Sequence, residues 1–305
     1  MNNTTLFLCI GCIIFSLFIY QPIFDIEQPT YEVFFCPKDN CTKIIHTTIN
    51  LSSSIKCAFY DLDDPQLTQL LGEKNATVFV DYDTKTTYGT RLKTPGLMHH
   101  KFCILDDTTT ITGSTNPTKN GLTLNRNNLI IIQSEKIAKE YLKEFRELEQ
   151  GVYRGGGTST HPDIYVCPED MCEERIVEAI DDAEFEIKIM AFTFTSQRIA
   201  NHLILAQQRG ITVSVIFEQR QRSFWQADML AYQDIPTYVY KQKGVLHHKT
   251  FIIDNGVYTG SYNPTNAGNE KNEENIIFID EPTIVQQFNQ EFIDVLALSQ
   301  PLNST

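Results

Sequence analysis

The chain carries the same series of short motifs twice, in the same order. A His-His-Lys run at 99–101 returns at 247–249, with its first histidine 148 residues later. A Gly-Ser-x-Asn-Pro-Thr segment follows each run, at 113–118 and at 260–265, and a Cys-Pro-x-Asp-x-Cys segment precedes each. A chain of 305 residues that repeats its landmarks in register is expected to fold as two similar halves, packed as a pseudo-twofold pair.

Strand-like and helix-like patterns alternate in both halves. Short runs of β-branched and aromatic residues predict strands, and apolar residues at helical spacing predict helices. This alternation is typical of an α/β fold, with one sheet per half covered by helices. The predicted strands are 31–35, 55–60, 77–82, 101–105, 129–132, 164–167, 185–194, 212–217, 250–253 and 276–279, and the predicted helices are 136–148, 173–180, 197–208 and 283–298.

The landmarks divide the chain into four predicted parts. These are an N-terminal segment over 1–24, a first half over 25–150, a linker over 151–160 and a second half over 161–305. The linker assignment rests on the glycine-rich, polar composition of 151–160. A glycine loop that faces a ligand is the alternative for that segment.

Residues 1–24 contain no charged side chain, and 6–20 are nearly all apolar. The length approaches what a helix needs to cross a bilayer, so we predict an uncleaved transmembrane anchor with the body outside the cytoplasm. The segment lacks the basic start and the small residues of a cleaved signal peptide, which would give a secreted protein. A buried core helix is the remaining alternative.

The overall charge limits the substrates that the chain can hold. The formal net charge is -13 at neutral pH. A broad basic surface for nucleic acid is therefore not expected, because such a surface works by neutralising phosphates. A local basic pocket remains compatible with this composition.

Each half contains a His-x-Lys-x4-Asp motif followed by Gly-Ser-x-Asn. In a strand, alternate side chains share a face, so His99 and Lys101 point the same way, as do His247 and Lys249. His100 and the equivalent histidine of the second half point to the opposite face and are expected to pack. The paired motifs resemble the HKD signature of the phospholipase D superfamily, whose members join two such motifs in one active site. Here a single chain would supply both.

The resemblance implies a phosphodiester substrate and a reaction through a phosphohistidine. One neutral histidine attacks phosphorus, the other protonates the leaving oxygen, and the lysines stabilise the charge that develops. We expect neither a metal nor another cofactor. The site residues that this implies are His99, Lys101, Asp106, His247, Lys249 and Asp254 for catalysis, the two aspartates as structural or supporting groups, with Asn116, Asn263, Ser114 and Ser261 at the phosphate; each serine is equally compatible with a turn.

The two copies differ downstream of the motif. Glu274 in the second half aligns with Asn127 in the first. In the family, an acidic residue there commonly orients the histidine of the other motif. The resemblance therefore implies that Glu274 orients His99 as the nucleophile and leaves His247 as the general acid. A solvated surface charge is the alternative for Glu274.

The cysteines fall into groups with different expectations. In an exported chain, Cys36 is expected to pair with Cys41, and Cys167 with Cys172. A zinc site built from these four thiolates is the alternative. Cys57 and Cys103 lie in strand-like runs and are predicted to be buried free thiols. Both remaining cysteines lie within residues 1–24.

These observations lead to three functional hypotheses. The first is phospholipase D-type hydrolysis of phospholipids at the membrane that anchors the chain. The second is an extracytoplasmic nuclease of the same superfamily, acting on DNA or RNA. The third is a non-catalytic phosphoryl-binding protein, which two intact half-sites make hard to support. The motifs do not decide whether water or an alcohol is the final acceptor.

Overall fold

The computed structural model describes residues 28–221 and 225–302, in which each half of the chain forms its own sheet. In the first sheet the strand order is β1-β7-β6-β5-β2-β3-β4. The elements of this half are β1 (Thr30–Cys36), α1 (Cys41–Leu51), β2 (Ile55–Phe59), α2 (Pro65–Glu73), β3 (Thr77–Asp81), β4 (Thr90–Leu92), β5 (Lys101–Leu105), β6 (Thr109–Gly113), α3 (Lys119–Thr123), β7 (Asn127–Gln133) and α4 (Glu135–Gln150).

The second half repeats this plan with one added helix and one added edge strand. Its strand order is β15-β11-β10-β9-β12-β13-β14-β8. The elements are β8 (Ile164–Cys167), α5 (Cys172–Asp182), β9 (Glu186–Ala191), α6 (Gln197–Gln208), β10 (Thr212–Glu218), a 3-10 turn (Gln219–Gln221), α7 (Gln226–Tyr232), β11 (Thr237–Tyr240), β12 (Lys249–Ile253), β13 (Gly256–Gly260), α8 (Asn266–Glu270), β14 (Glu274–Ile279), α9 (Pro282–Ala297) and β15 (Ser299–Pro301).

Among the described residues, three hydrophobic cores lie between the layers. One lies within the first half around α1 and α2, and one lies within the second half around α5 and α6. The third is shared, because it combines residues of both sheets with the apolar faces of α4 and α9. Each sheet is therefore covered on both faces, which explains why its strands read as continuous apolar runs. The shared core fixes the two halves against each other.

The long helix α4 shows how the sequence sets an element's limits. Ser134 caps its first turn by accepting from the backbone N–H of Ile137, and Gly151 ends it with a φ of 70°. Between them, Tyr141 and Phe145 lie on one buried face. Because that face packs between the two sheets, α4 carries side chains toward the centre of the molecule.

The glycine-rich segment 151–160 is tied to the body rather than extended away from it. The backbone N–H groups of Gly155 and Gly156 donate to Glu169 at 2.6 and 3.3 Å. The N–H of Ser159 donates to Asp170 at 3.1 Å. The N–H of Gly157 donates to Glu147 of the first half at 3.0 Å, so carboxylates of both halves hold the connection.

The predicted anchor over 1–24 lies outside the described residues. Within 28–221 and 225–302, the helices are all too short or too polar to cross a bilayer.

Three disulfides are present among the described residues. Cys36 pairs with Cys41, and Cys167 with Cys172, so these thiols are not available for the alternative zinc site. The prediction of free thiols at Cys57 and Cys103 was wrong, because these residues form the third disulfide. They lie directly opposite each other on the antiparallel strands β2 and β5. Directly opposed residues bring their Cβ atoms within disulfide reach, and this pairing is set by the sheet register.

Peptide mass spectrometry without reduction should recover all three linked pairs. Replacing both Cys57 and Cys103 with serine should lower the free energy of unfolding by about 4 kcal/mol, because the disulfide closes a long loop, with a sequence separation of 46, in the unfolded chain. The measurement is chemical denaturation of the variant and the parent. Stoichiometric bound zinc, or an unlinked Cys57 peptide, would contradict the assignment.

Candidate active site

The two halves are joined by reciprocal backbone bridges next to the motif histidines. The N–H of His99 donates to the carbonyl of Glu273 at 3.0 Å. The equivalent bridge runs from the second half to the first, where the N–H of His247 donates to the carbonyl of Arg126 at 2.6 Å. Each motif is thus anchored on the segment that enters β14 or β7 of the opposite half. This exchange brings both motifs to one place.

Within each half the histidine and lysine lie on the same side of the strand, as the alternation predicts. Lys101 Nζ donates to the carbonyl oxygen of His99 at 2.6 Å, and Lys249 Nζ donates to that of His247 at 3.0 Å. An aromatic ring packs beside each His-Lys pair, from the residue after β2 in the first half and from the residue after β9 in the second. Tyr60 lies 4.7 Å from the His99 ring, and its counterpart Phe192 lies 4.6 Å from the His247 ring, centroid to centroid.

The four motif side chains are buried, and burial dominates their electrostatics. It lowers the pKa of His99 to about 4 and that of Lys101 to about 7. The pKa values of His247 and Lys249 also lie well below their usual values, first because of burial and then because of neighbouring positive charges. Lys101 and His99 of the first half act on His247 of the second. The structure therefore places both half-sites within one electrostatic environment.

Glu274 contacts His99 directly. Its Oε2 lies 2.7 Å from His99 Nδ1, and its side chain is fully buried. Burial alone would raise the pKa of Glu274, but the charge and hydrogen bond of His99, together with Lys101, hold it below the usual value. The carboxylate accepts a hydrogen bond from Nδ1–H, so the Nε2 lone pair of His99 is directed away from Glu274. The alternative of a solvated surface charge is not what the structure shows.

His247 is oriented without a carboxylate. Its Nδ1–H donates to the backbone carbonyl of Ser114 at 2.9 Å, while the Lys249 ammonium lies 3.3 Å from its Nε2. Asn127 instead accepts from the Thr115 hydroxyl at 2.5 Å and donates to the Gly121 carbonyl at 2.9 Å. The two histidines therefore adopt the same tautomer through chemically different partners.

The serines and asparagines of the Gly-Ser-x-Asn segments occupy equivalent places. The Ser114 hydroxyl accepts from the backbone N–H of Asn128 at 3.0 Å, and the Ser261 hydroxyl accepts from that of Asn275 at 2.9 Å. Both serines are fully buried. In the described part of the chain, the Oδ1 atoms of Asn116 and Asn263 are buried without a hydrogen-bond partner. The serines hold turns, and a phosphate role for any of the four stays a prediction.

The aspartates of the two motifs lie at the far end of the strand from the histidines. Asp106 accepts from the backbone N–H groups of Ser53 and Ser54, at 2.9 and 2.8 Å. Asp254 accepts from three consecutive N–H groups, over 184–186, in the equivalent turn. Each aspartate lies five residue steps beyond the lysine of its motif, roughly 16 Å along a strand. Their contacts are structural, and the structure shows none with the His-Lys pairs.

Two further acidic residues, not singled out by the sequence, support the site. Asp81 ends β3 and accepts from the backbone N–H of Met98 at 2.9 Å. Glu218 ends β10 and accepts from that of Leu246 at 2.7 Å. They fix the segments just before the two motifs. Their sequence signal was an acidic residue closing a predicted buried strand at equivalent places in both copies.

A cavity of about 360 Å³ opens beside the His99 half-site. Four aspartates and one lysine line it together with two neutral residues: Asp61, Asp63, Asp81, Asp83, Lys85, Tyr60 and Thr84. The residues that follow β9 in the second half, Phe192 and two threonines among them, are neutral where β2 is followed by Asp61 and Asp63. The wall of this cavity therefore carries a net negative charge.

The duplicated α/β fold and the paired His-Lys half-sites define the architecture of phospholipase D-like proteins. Residues 52–149 and 176–296 match the family model described as cardiolipin synthase, PLD-like domain. The chain belongs to this PLD-like family.

Individual relatives resemble parts of the chain. A phospholipase D of Rickettsia conorii is 31% identical over 126 residues, covering 40% of this chain and 63% of the relative. A mitochondrial cardiolipin hydrolase of Danio rerio is 26% identical over 133 residues, covering 42% of this chain and 59% of the relative. The chain thus spans less than two thirds of these relatives.

A solved structure shares the fold across both halves. The crystal structure of phosphatidylserine synthase from Haemophilus influenzae Rd KW20 gives a TM-score of 0.65 at 10% identity. The match covers 88% of this chain and 87% of that one. At this identity the likeness concerns the fold alone, and it supports the two-half arrangement.

Proposed function

We propose that this chain is a phosphodiester hydrolase that cleaves phospholipids in the manner of a phospholipase D, through a phosphohistidine and without a metal ion. The observation that carries the proposal is the buried pairing of His99-Lys101 with His247-Lys249, in which His99 alone has a carboxylate partner. Similarity to a curated phospholipase D and to a cardiolipin hydrolase supports a phosphodiester substrate.

The proposed reaction has two steps, and His247 donates a proton in the first and accepts one in the second. In the first, His99 Nε2 attacks phosphorus, the bond to the leaving alcohol breaks, and His247 Nε2 gives its proton to that alcohol. In the second, His247 takes a proton from water, the resulting hydroxide attacks phosphorus, and the bond to His99 breaks. Lys101 and Lys249 stabilise the non-bridging oxygens in both steps. An acceptor alcohol in place of water would give phosphoryl transfer by the same route.

Substrate binding supplies the protonation state that the first step requires. In the free protein, the pKa of His247 lies well below its usual value, because burial and the neighbouring cations disfavour its charged form. A phosphodiester anion between the half-sites adds the missing negative charge and raises the pKa of His247 and of both lysines. Binding and proton uptake are therefore coupled in the proposed mechanism.

The charge distribution favours a lipid over a nucleic-acid strand. The protein has a formal net charge of -13, and four aspartates against one lysine line the cavity beside Tyr60. A polyanionic strand would pass these carboxylates at a cost, whereas a phospholipid presents a single phosphodiester. We extend the proposal to an anchor over residues 1–24, with the body outside the cytoplasm and both half-sites supplied by one chain.

Full turnover is expected in excess chelator. The lysines supply the positive charge that a metal ion supplies in other phosphodiesterases, so removing divalent ions should leave kcat unchanged. The measurement compares head-group release from phosphatidylcholine and cardiolipin vesicles by the full chain in detergent, with and without EDTA. Loss of the chemical step on chelation, restored by added divalent ions, would contradict metal independence.

The same preparation tests the substrate class. Single- and double-stranded DNA and RNA are offered in parallel with the vesicles, and His99→Asn serves as the matched inactive control. Cleavage of vesicles but not of nucleic acid supports the proposal. Cleavage of nucleic acid alone would replace it with the nuclease, and binding without turnover on either substrate would favour a phosphoryl-binding protein.

A further inference from the structure

Two equivalent buried clusters flank the active site, and they differ in one residue. In the first cluster, Arg126 donates to both carboxylate oxygens of Glu291, at 3.2 and 3.4 Å, and His248 lies 3.4 Å from the same carboxylate. In the second, His100 lies 3.0 Å from Glu144, the counterpart of Glu291. The counterpart of Arg126 there is Glu273. An ion pair on one side thus corresponds to two carboxyl groups on the other.

Glu273 has the environment of a neutral acid. It is 2% exposed, and its Oε1 has no hydrogen-bond partner within the described residues. Burial, then the charges of Glu144 and Glu169, raise its pKa to about 9, against a smaller opposing effect of Arg154. These neighbours come from α4, the turn before α5 and the linker, and His100 reaches the cluster through Glu144.

The backbone of Glu273 connects this cluster to the catalytic centre. Its carbonyl accepts from the N–H of His99 at 3.0 Å, and its N–H donates to the carbonyl of Leu97 at 2.9 Å. The next residue, Glu274, contacts His99 Nδ1 at 2.7 Å. A displacement of Glu273 would therefore move both partners that position His99.

We propose that Glu273 is a positioning residue that acts in its protonated form. With its proton, the carboxyl is a neutral neighbour of Glu144, and the bridge to His99 is retained. Loss of the proton places a second negative charge beside Glu144 in a buried site, so Glu273 shifts toward solvent. This shift pulls the Glu273 carbonyl away from the N–H of His99, and it also displaces Glu274 from the His99 ring. The enzyme is then impaired at alkaline pH by a group that does not touch the substrate.

The variant Glu273→Gln keeps the shape of the neutral acid and cannot ionise. Folding raises the pKa of Glu273 from 4.5 to about 9. The wild-type protein therefore loses stability relative to this variant as the pH rises between these two values, and the difference in stability stays constant at higher pH. We expect the Tm difference to widen between about pH 5 and 9. The ratio of variant to wild-type kcat should be flat at neutral pH and then rise by up to about tenfold per pH unit above about 9.

The other cluster supplies a matched comparison. Glu273→Arg should recreate the ion pair of Arg126 with Glu291 and remove the alkaline sensitivity, whereas Arg126→Glu should introduce a second sensitive carboxyl pair. Infrared spectra of the wild-type protein at about pH 8 should show a protonated carboxyl band that Glu273→Gln lacks.

Only the kcat measurement rests on the proposed phosphodiesterase activity, whereas the Tm and infrared measurements do not. Failure of the proposed activity can therefore be told apart from failure of the positioning role. A Tm difference independent of pH, or no protonated carboxyl in the wild-type spectrum at about pH 8, would overturn the proposal even if a variant fails to fold. A Tm difference that widens with pH, together with a kcat ratio that stays flat at alkaline pH, would overturn the proposal that Glu273 positions His99.

Discussion

Replacing His247 with asparagine is expected to trap a phosphoryl group on His99. His99 retains Glu274 and can still attack phosphorus when the leaving group is good, such as a nitrophenolate. The second step fails, because no group remains to take the proton from water. Turnover of natural substrates should fall by about a thousandfold or more, since the leaving alcohol also loses its acid. Phosphopeptide mass spectrometry under alkaline conditions, which preserve phosphohistidine, identifies the residue that carries phosphate.

The reciprocal variant provides the control. His99→Asn should show no trapped phosphate with the same substrate, although Lys101 and Lys249 remain to bind it. Phosphate found on His247 in that variant, and not on His99 in the first, would reverse the assignment while leaving the paired site intact. Absence of phosphohistidine in both would contradict the two-step mechanism.

The change Glu274→Gln is expected to lower kcat by roughly a hundredfold or more. A glutamine oxygen can still accept a hydrogen bond from the Nδ1–H of His99, so the tautomer survives. The negative charge that stabilises the cationic phosphohistidine is lost. In the parent protein, burial raises the pKa of Glu274, but His99 holds it below its usual value. Steady-state kinetics should show the loss in kcat rather than in KM.

Asn127→Ala is the matched comparison at the equivalent position. Asn127 contacts Thr115 and Gly121, whereas His247 is held by the Ser114 carbonyl. The substitution should therefore cost stability, about 1 kcal/mol per lost buried hydrogen bond, with a much smaller effect on kcat. An equal kcat loss in both variants would contradict the asymmetry between the histidines.

The secondary structure followed the sequence where local pattern and tertiary packing agree. Strand β5 and helix α6 match the predicted limits over 101–105 and 197–208. Helix α1 was not predicted, because seven of its residues over 42–49 are threonine, isoleucine or histidine, which have weak helix propensity. Burial of Ile45 and Ile49 against the first sheet overrides that preference. Helix α2 was also missed, although Asp64 and Pro65 carry an N-terminal signal.

The sequence by itself determined the duplication, the α/β class and the His-Lys pairs, because these depend on repeated identity and on the two-residue period of a strand. It also indicated Glu274 through its mismatch with Asn127. Only the tertiary structure decided that a backbone carbonyl of Ser114 orients His247, and that Cys57 meets Cys103. Backbone groups are the same at every residue, and contacts between distant segments depend on sheet register and on how the two halves pack, neither of which a local pattern specifies.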